Sequence, residues 1–226
     1  AMEGKAAGVQ VIRSSGQPQA GFSIRVRGTS SITSGSDPLY VVDGVPTYNT
    51  NEINPADIES ITVLKDASSA AVFGSSGANG VVIITTKRGK NQKLKLNFNT
   101  SATFSKAWKR MDVLNSDQFR DLMTEMGEST DWNKYNANTN WQDEIFRTAI
   151  TQNYHLAATG GTAKTSYYAS GSFINQNGIV LNNKLSRGTF KLNLDHQLVK
   201  FLKVGTAVAY DKWSDIDVPE NQRNGV

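Results

Sequence analysis

The sequence predicts a small α+β unit over residues 1–90, followed by a run of long antiparallel β-strands over residues 91–226. Three observations carry this. Up to about residue 90 short apolar segments alternate with Gly- and Ser-rich turns. Beyond it, five segments alternate apolar and polar residues with the period of two that a strand imposes. The longest purely aliphatic run, residues 81–84, is four residues, whereas a helix crossing a bilayer needs about 20.

In the first unit, residues 9–13 and 22–27 are strand-like, the second with Phe22, Ile24 and Val26 on one side and Arg25 and Arg27 on the other. Residues 39–42 form a short apolar strand closed by Asp43 and Gly44, the glycine supplying a positive φ. Asn54 followed by Pro55 is the pattern of an N-cap with proline at the first helical position, and predicts a single turn through Glu59. A strand returns at 61–64. Asp66 caps a predicted short helix over 67–73 that Gly74 ends, and residues 81–86 form a buried strand.

In the second region, residues 93–104 place Leu94, Leu96, Phe98, Ala102 and Phe104 on one face and Lys93, Lys95, Asn97, Asn99, Ser101 and Thr103 on the other. Residues 151–159, 165–174, 186–197 and 200–213 behave alike. Phe190, Leu192 and Leu194 share a face, as do Leu202, Val204, Thr206, Val208 and Tyr210. Short connections near 160–164 and 199 alternate with long polar ones at 105–150, 175–185 and after 214. The first long connection is read as a helical insertion at about 113–150. In it Asn115 and Gln118 form a capping box, Gly127 ends the helix, and Phe119, Leu122, Met123 and Met126 make its apolar stripe. A further turn follows Asn140, with Trp141 and Ile145 expected inward.

Such strands serve either a β-sandwich or a membrane barrel, whose strands need about 9–11 residues and look hydrophilic on average. Ser, Thr and Asn make up 60 of 226 residues and charged residues only 19%, below the roughly 25% usual for soluble domains. Trp108, Tyr154, Tyr168, Tyr210 and Trp213 near strand ends suit the aromatic girdles of a barrel. A soluble or surface β-rich module holding carbohydrate on its Ser/Thr/Asn loops is the alternative reading.

The chain has no cysteine and two histidines, which removes disulfides, Cys-based zinc sites and Cys nucleophiles. Net charge +4 is spread along the chain, so no nucleic-acid stripe is expected. Asp37, Asp43, Asp57, Glu59 and Asp66 lack EF-hand spacing. The run at 74–80, G-S-S-G-A-N-G, lacks a P-loop lysine, and no G-x-S-x-G elbow is present. No metal, cofactor or catalytic residue is expected, and a periplasmic hydrolase is the weakest alternative.

The runs G-V-Q-V-I-R-S-S-G-Q-P (8–18), I-R-V-R-G (24–28), P-L-Y-V-V-D-G-V-P (38–46), I-N-P-A-D-I-E-S-I-T-V-L-K-D-A-S-S-A-A-V-F-G (53–74) and G-A-N-G-V-V-I-I-T-T-K-R-G (77–89) resemble, in order, the plug domain of SusC/RagA-type TonB-dependent transporters. The strands after 90 look like the start of that family's barrel. The resemblance implies an α+β plug at 1–90 followed at 91–226 by about five antiparallel strands of an incomplete transmembrane β-barrel. Five strands are too few to close, since the smallest such barrels have eight, so the chain is expected to be part of a longer protein. It also implies a nutrient importer in the outer membrane of a Gram-negative bacterium. Its partners would be TonB, reached through a segment upstream of residue 1, a SusD-like surface lipoprotein, outer-membrane lipid, and an oligosaccharide or peptide cargo.

A plug must be held yet releasable, so polar contacts with the wall are expected. Arg25 and Arg27 are candidates to meet wall carboxylates. Ser30, Ser31, Thr33, Ser34 and Ser36, in the loop at 29–37, are candidates to present hydroxyls to cargo. The helical stripe is expected to pack within its insertion.

Overall fold

The computed structural model describes residues 10–13, 22–25, 38–47, 53–64, 71–128, 130–134 and 137–216, the first two stretches by their backbone. β1 (Gln10–Arg13) and β2 (Phe22–Arg25) pair antiparallel.

A four-stranded mixed sheet has the order β4-β3-β6-β5, from β3 (Leu39–Val42), β4 (Val45–Thr47), β5 (Ile58–Leu64) and β6 (Val81–Thr86). β3 and β6 run parallel at its centre, and the other pairs are antiparallel. A central parallel pair buried on both faces needs apolar residues at every position, as L-Y-V-V and V-V-I-I supply. On one face Tyr40, Val82 and Ile84 gather Val42, Ile53, Ile58, Ile61 and Val63; on the other Leu39, Val41 and Val81 gather Leu64, Phe73 and Ile83.

The local signals mostly place the turns. Asp43 and Gly44 both have positive φ, 49° and 90°, the backbone of a tight two-residue hairpin. That hairpin adds β4, which the sequence reading missed. Asn54 caps as expected, its Oδ1 accepting from Ala56 N at 2.8 Å, but the turn is a 3₁₀ turn over Pro55–Asp57, and β5 begins at once. The helix predicted at 67–73 lies largely outside the described residues. Where it should end, Ala71–Gly77 is 3₁₀ and broken at Gly74 (φ 61°, ψ −148°).

The second region is an antiparallel meander in which each strand pairs with the next: β7 (Lys95–Ser105), β8 (Ala149–Gly161), β9 (Thr165–Asn177), β10 (Lys184–Val199) and β11 (Leu202–Ile216). All are at least 11 residues long, and the last four exceed their predicted lengths because regular pairing continues into the flanking polar residues. β7 and β11 are open edges, so these five strands form a sheet and no closed barrel.

Between β7 and β8, α1 (Ser116–Glu125) has the predicted capping box, Asn115 and Gln118 each bonding the other's backbone N–H. Its stripe is half-open, with Phe119 edge-on to Trp132, ring centroids 6.1 Å apart. α2 (Trp141–Ile145) corrects the inward expectation, since Trp141 is 72% exposed and Ile145 is also exposed.

Candidate functional site

The two sheets meet along a seam of polar side chains. Register fixes which wall residues take part. Lys191, Asn193 and Asp195 alternate on one side of β10, whereas Phe190, Leu192 and Leu194 lie on the other with Tyr210, Val208 and Thr206 opposite them on β11. His155 on β8 shares the first side, as does Tyr168 on β9, because Tyr168 pairs with Asn193.

At one end of the seam the Pro55–Asp57 turn delivers Asp57 into the wall. The turn is held from below: Lys87 N donates to the Asp57 carbonyl at 2.8 Å and Lys87 Nζ to the Ala56 carbonyl at 2.6 Å. Asp57 Oδ1 accepts the Tyr168 hydroxyl at 2.7 Å and lies 2.9 Å from His155 Nε2. Two bare acceptors do not bond, so Nε2 carries its proton toward the carboxylate. His155 and Asp57 side chains are 3% and 5% exposed, leaving no room for a substrate. The arrangement couples two structural elements through one carboxylate.

At the other end β6 runs into the wall. Asn193 Nδ2 donates to the Lys87 carbonyl at 2.8 Å and lies 3.5 Å from Thr86 Oγ1. Asp43 accepts from Thr86 N at 2.9 Å and from the Thr86 hydroxyl, and its Oδ2 is 3.5 Å from Lys191 Nζ. Burial raises the cost of charging Asp43, but the Thr86 bonds and the Lys191 and Arg88 charges outweigh it and hold the carboxyl below its ordinary value. Asp195, buried, faces Arg88 Nη1 at 3.3 Å and Lys203 Nζ at 3.7 Å. Gly89 then crosses so close to β9 that a β-carbon on it would sit 2.1 Å from Tyr167 N.

Of the residues singled out from sequence, Arg25 ends β2 opposite Gln10, described by its backbone. Arg27, Ser30, Ser31, Thr33, Ser34 and Ser36 lie outside the described residues. Tyr168 is corrected: it is 3% exposed and turned to Asp57, not an outer girdle residue. Trp213 also stands on the seam side, opposite Arg187, while Tyr154 and Tyr210 stand on the outer side. Sequence reading missed Asp57, His155, Asn193 and Asp195 as contacts. For His155, Asn193 and Asp195 the usable signal was strand parity, since each is polar and one step out of phase with the apolar row of its strand. Among the described residues no three His, Cys, Asp or Glu side chains converge to hold a metal ion.

Residues 1–81 match the family model of the TonB-dependent Receptor Plug Domain. The chain is 43% identical over 204 residues to TonB-dependent receptor SusC of Bacteroides thetaiotaomicron, covering 85% of this chain and 20% of that protein. It is 42% identical over 209 residues to TonB-dependent receptor P3 of Formosa agariphila, covering 92% and 20%. The chain thus spans about a fifth of the length of these curated relatives. Among solved structures it resembles the RagAB peptide importer in its closed-closed state, with TM-score 0.85 and 30% identity over 96% of this chain and 29% of that one. In sequence along both regions, and in the stacking of a mixed sheet against an antiparallel meander, the chain belongs to the SusC/RagA type of TonB-dependent receptor.

Proposed function

We propose that this chain supplies the plug and the first wall strands of a TonB-dependent nutrient importer of the Gram-negative outer membrane. On this reading residues 1–90 are the plug and residues 91–226 the start of a transmembrane barrel, with an extracellular helical insertion at 113–150. The observation that carries the reading is the seam. Asp57, Asp43, Lys87 and Arg88 meet His155, Tyr168, Lys191, Asn193 and Asp195 through hydrogen bonds and ion pairs. A dry interface of this extent would fuse the two parts into one core, whereas polar contacts can be exchanged for water as the plug moves.

The opposite side of the meander supports the same assignment. Leu96, Phe98, Leu156, Phe173, Phe190 and Tyr210 are all exposed there, and an apolar strand face of this breadth suits lipid. Arg25 and Arg27 would add plug–wall contacts, and Ser30, Ser31, Thr33, Ser34 and Ser36 would face cargo from the loop at 29–37. The cargo is an oligosaccharide or a peptide, captured with a SusD-like surface lipoprotein and moved when TonB pulls on the plug. The chain does no covalent chemistry.

The test uses the full-length receptor in cells. Uptake of a labelled oligosaccharide or peptide mixture should require TonB, and removal of residues 1–90 should replace it by a TonB-independent leak. Uptake that persists without TonB, or a plugless receptor that stays impermeable, would refute the reading.

A further inference from the structure

The seam holds two chemically different attachments. In one, Arg88 and Lys203 are 42% and 60% exposed around Asp195. Charges that open to water are screened by salt. In the other, Asp57 is closed in with His155 and Tyr168. Its two donors stand on adjacent strands, β8 and β9, so one carboxylate oxygen spans two strands of the wall. Asp57 itself cannot give way easily. Asn54 caps its turn, and Lys87, immediately after β6, grips the carbonyls of Ala56 and Asp57. A pull on the mixed sheet therefore reaches Asp57 through hydrogen-bonded backbone.

Withdrawing Asp57 strands a buried His155 N–H and a buried Tyr168 hydroxyl together. His155 Nδ1 already has no partner among the described residues, so the ring has no second bond to fall back on. Buried donors left bare are costly in proportion to their number. The barrier to separation is thereby concentrated at one residue.

We infer that Asp57 is the latch of the plug: the carboxylate shared by His155 and Tyr168 sets how hard the plug must be driven to leave the wall, independently of salt, while the Arg88–Asp195–Lys203 contacts set a salt-dependent part of docking. This rests on the plug reading above.

The experiment measures single-channel conductance of the full-length receptor in planar bilayers under urea, at about 0.1 M and 1 M KCl, across which the Debye length falls from about 10 Å to 3 Å. Wild type should be closed without urea and open above a threshold. Asp57→Ala should raise the opening rate at a fixed urea concentration by about 10–100-fold, equally at both salts. Asp57→Asn, which keeps an acceptor at Oδ1, should recover most of that loss. Tyr168→Phe, removing one donor, should fall between Asp57→Asn and Asp57→Ala, and it tests the latch even if Asp57→Ala fails to assemble. Lys203→Met should raise opening at low salt only. Wild-type opening in both Asp57→Ala and Tyr168→Phe, or effects that vanish in 1 M KCl as for Lys203→Met, would overturn the latch alone. A wild-type receptor that conducts without urea, or never conducts, would overturn the plug reading and the latch with it.

Discussion

Asn193, on the wall, donates its side-chain amide to the main-chain carbonyl of Lys87, 106 positions earlier in the chain, at 2.8 Å. Asn193 is 1% exposed, so the carbonyl just after β6 is met by a donor that is itself shut off from water. Polarity here is position-specific. A donor must face that carbonyl, and any acceptor in its place confronts a second acceptor.

Asn193→Ala should therefore cost about 0.5–1.5 kcal/mol, the net worth of a lost hydrogen bond to a partly buried carbonyl. Asn193→Asp should cost more, because it sets a carboxylate against the carbonyl and beside Asp195. Thermal unfolding of the full-length receptor in detergent checks the order. Alanine proving worse than aspartate would mean the contact works through volume and not through its donor.

Gly89 is intolerant of any side chain. A β-carbon at that position would lie 2.1 Å from Tyr167 N and 2.6 Å from the Ser166 carbonyl carbon, and both are strand backbone that cannot rotate aside. Gly89→Ala must push the segment after β6 off β9, breaking the nearby Asn193–Lys87 bond as well. The expected result is a receptor protease-sensitive near residues 87–92. Gly44→Ala is the control: its φ of 90° strains the hairpin, but nothing lies within 4 Å of the added carbon, so damage should stay local to the turn.

The fold was legible wherever a local rule decided it. The Asn54–Pro55 cap, the Asp43–Gly44 turn, the Asn115/Gln118 capping box and the shared face of Phe190, Leu192 and Leu194 all follow from sequence spacing, and all are present. The seam was legible only in part. Alternation tells which residues share a side of β8 to β10, but not that this side meets another sheet. Tyr168 was therefore assigned by its type, aromatic near a strand end, when its parity places it beside Asn193. Asp57 carries no sequence signal as a contact, because its partners lie 98 and 111 residues away. Trp141 failed for another reason: a five-residue helix in a polar connection has no neighbour in these five strands to bury it.

The Asp43 contacts make docking acid-sensitive. The carboxyl is held below its ordinary value of 3.8 by Thr86, Lys191 and Arg88 acting against burial. A depressed folded-state value means the stabilisation is complete above the unfolded value and is lost as pH falls through the folded one. Seam stability should thus be flat from neutrality to about pH 5 and decline below about pH 4. Asp43→Asn should remove that decline at some cost at pH 7. Unfolding midpoints from pH 3 to 7 at low salt would show it; parallel curves for the two proteins would mean Asp43 does not carry the acid response.

The outer side of the meander yields the last prediction, and it separates lipid from water at neighbouring positions. Leu192 and Asn193 are adjacent in β10, yet Leu192 stands with Val208 away from the seam and Asn193 faces Lys87. In a bilayer, Leu192→Arg should lower stability of the folded receptor by about 2–4 kcal/mol if the position lies near the midplane, and less toward either interface. A tryptophan at 192 should be quenched by brominated acyl chains, while Tyr168→Trp, on the seam side, should not be. A sheet that packed this face against protein would protect both tryptophans. In that arrangement Leu192→Arg would be about as damaging in lipid-free buffer as in vesicles, because the cost would come from a charge buried in a core and not from one placed in hydrocarbon.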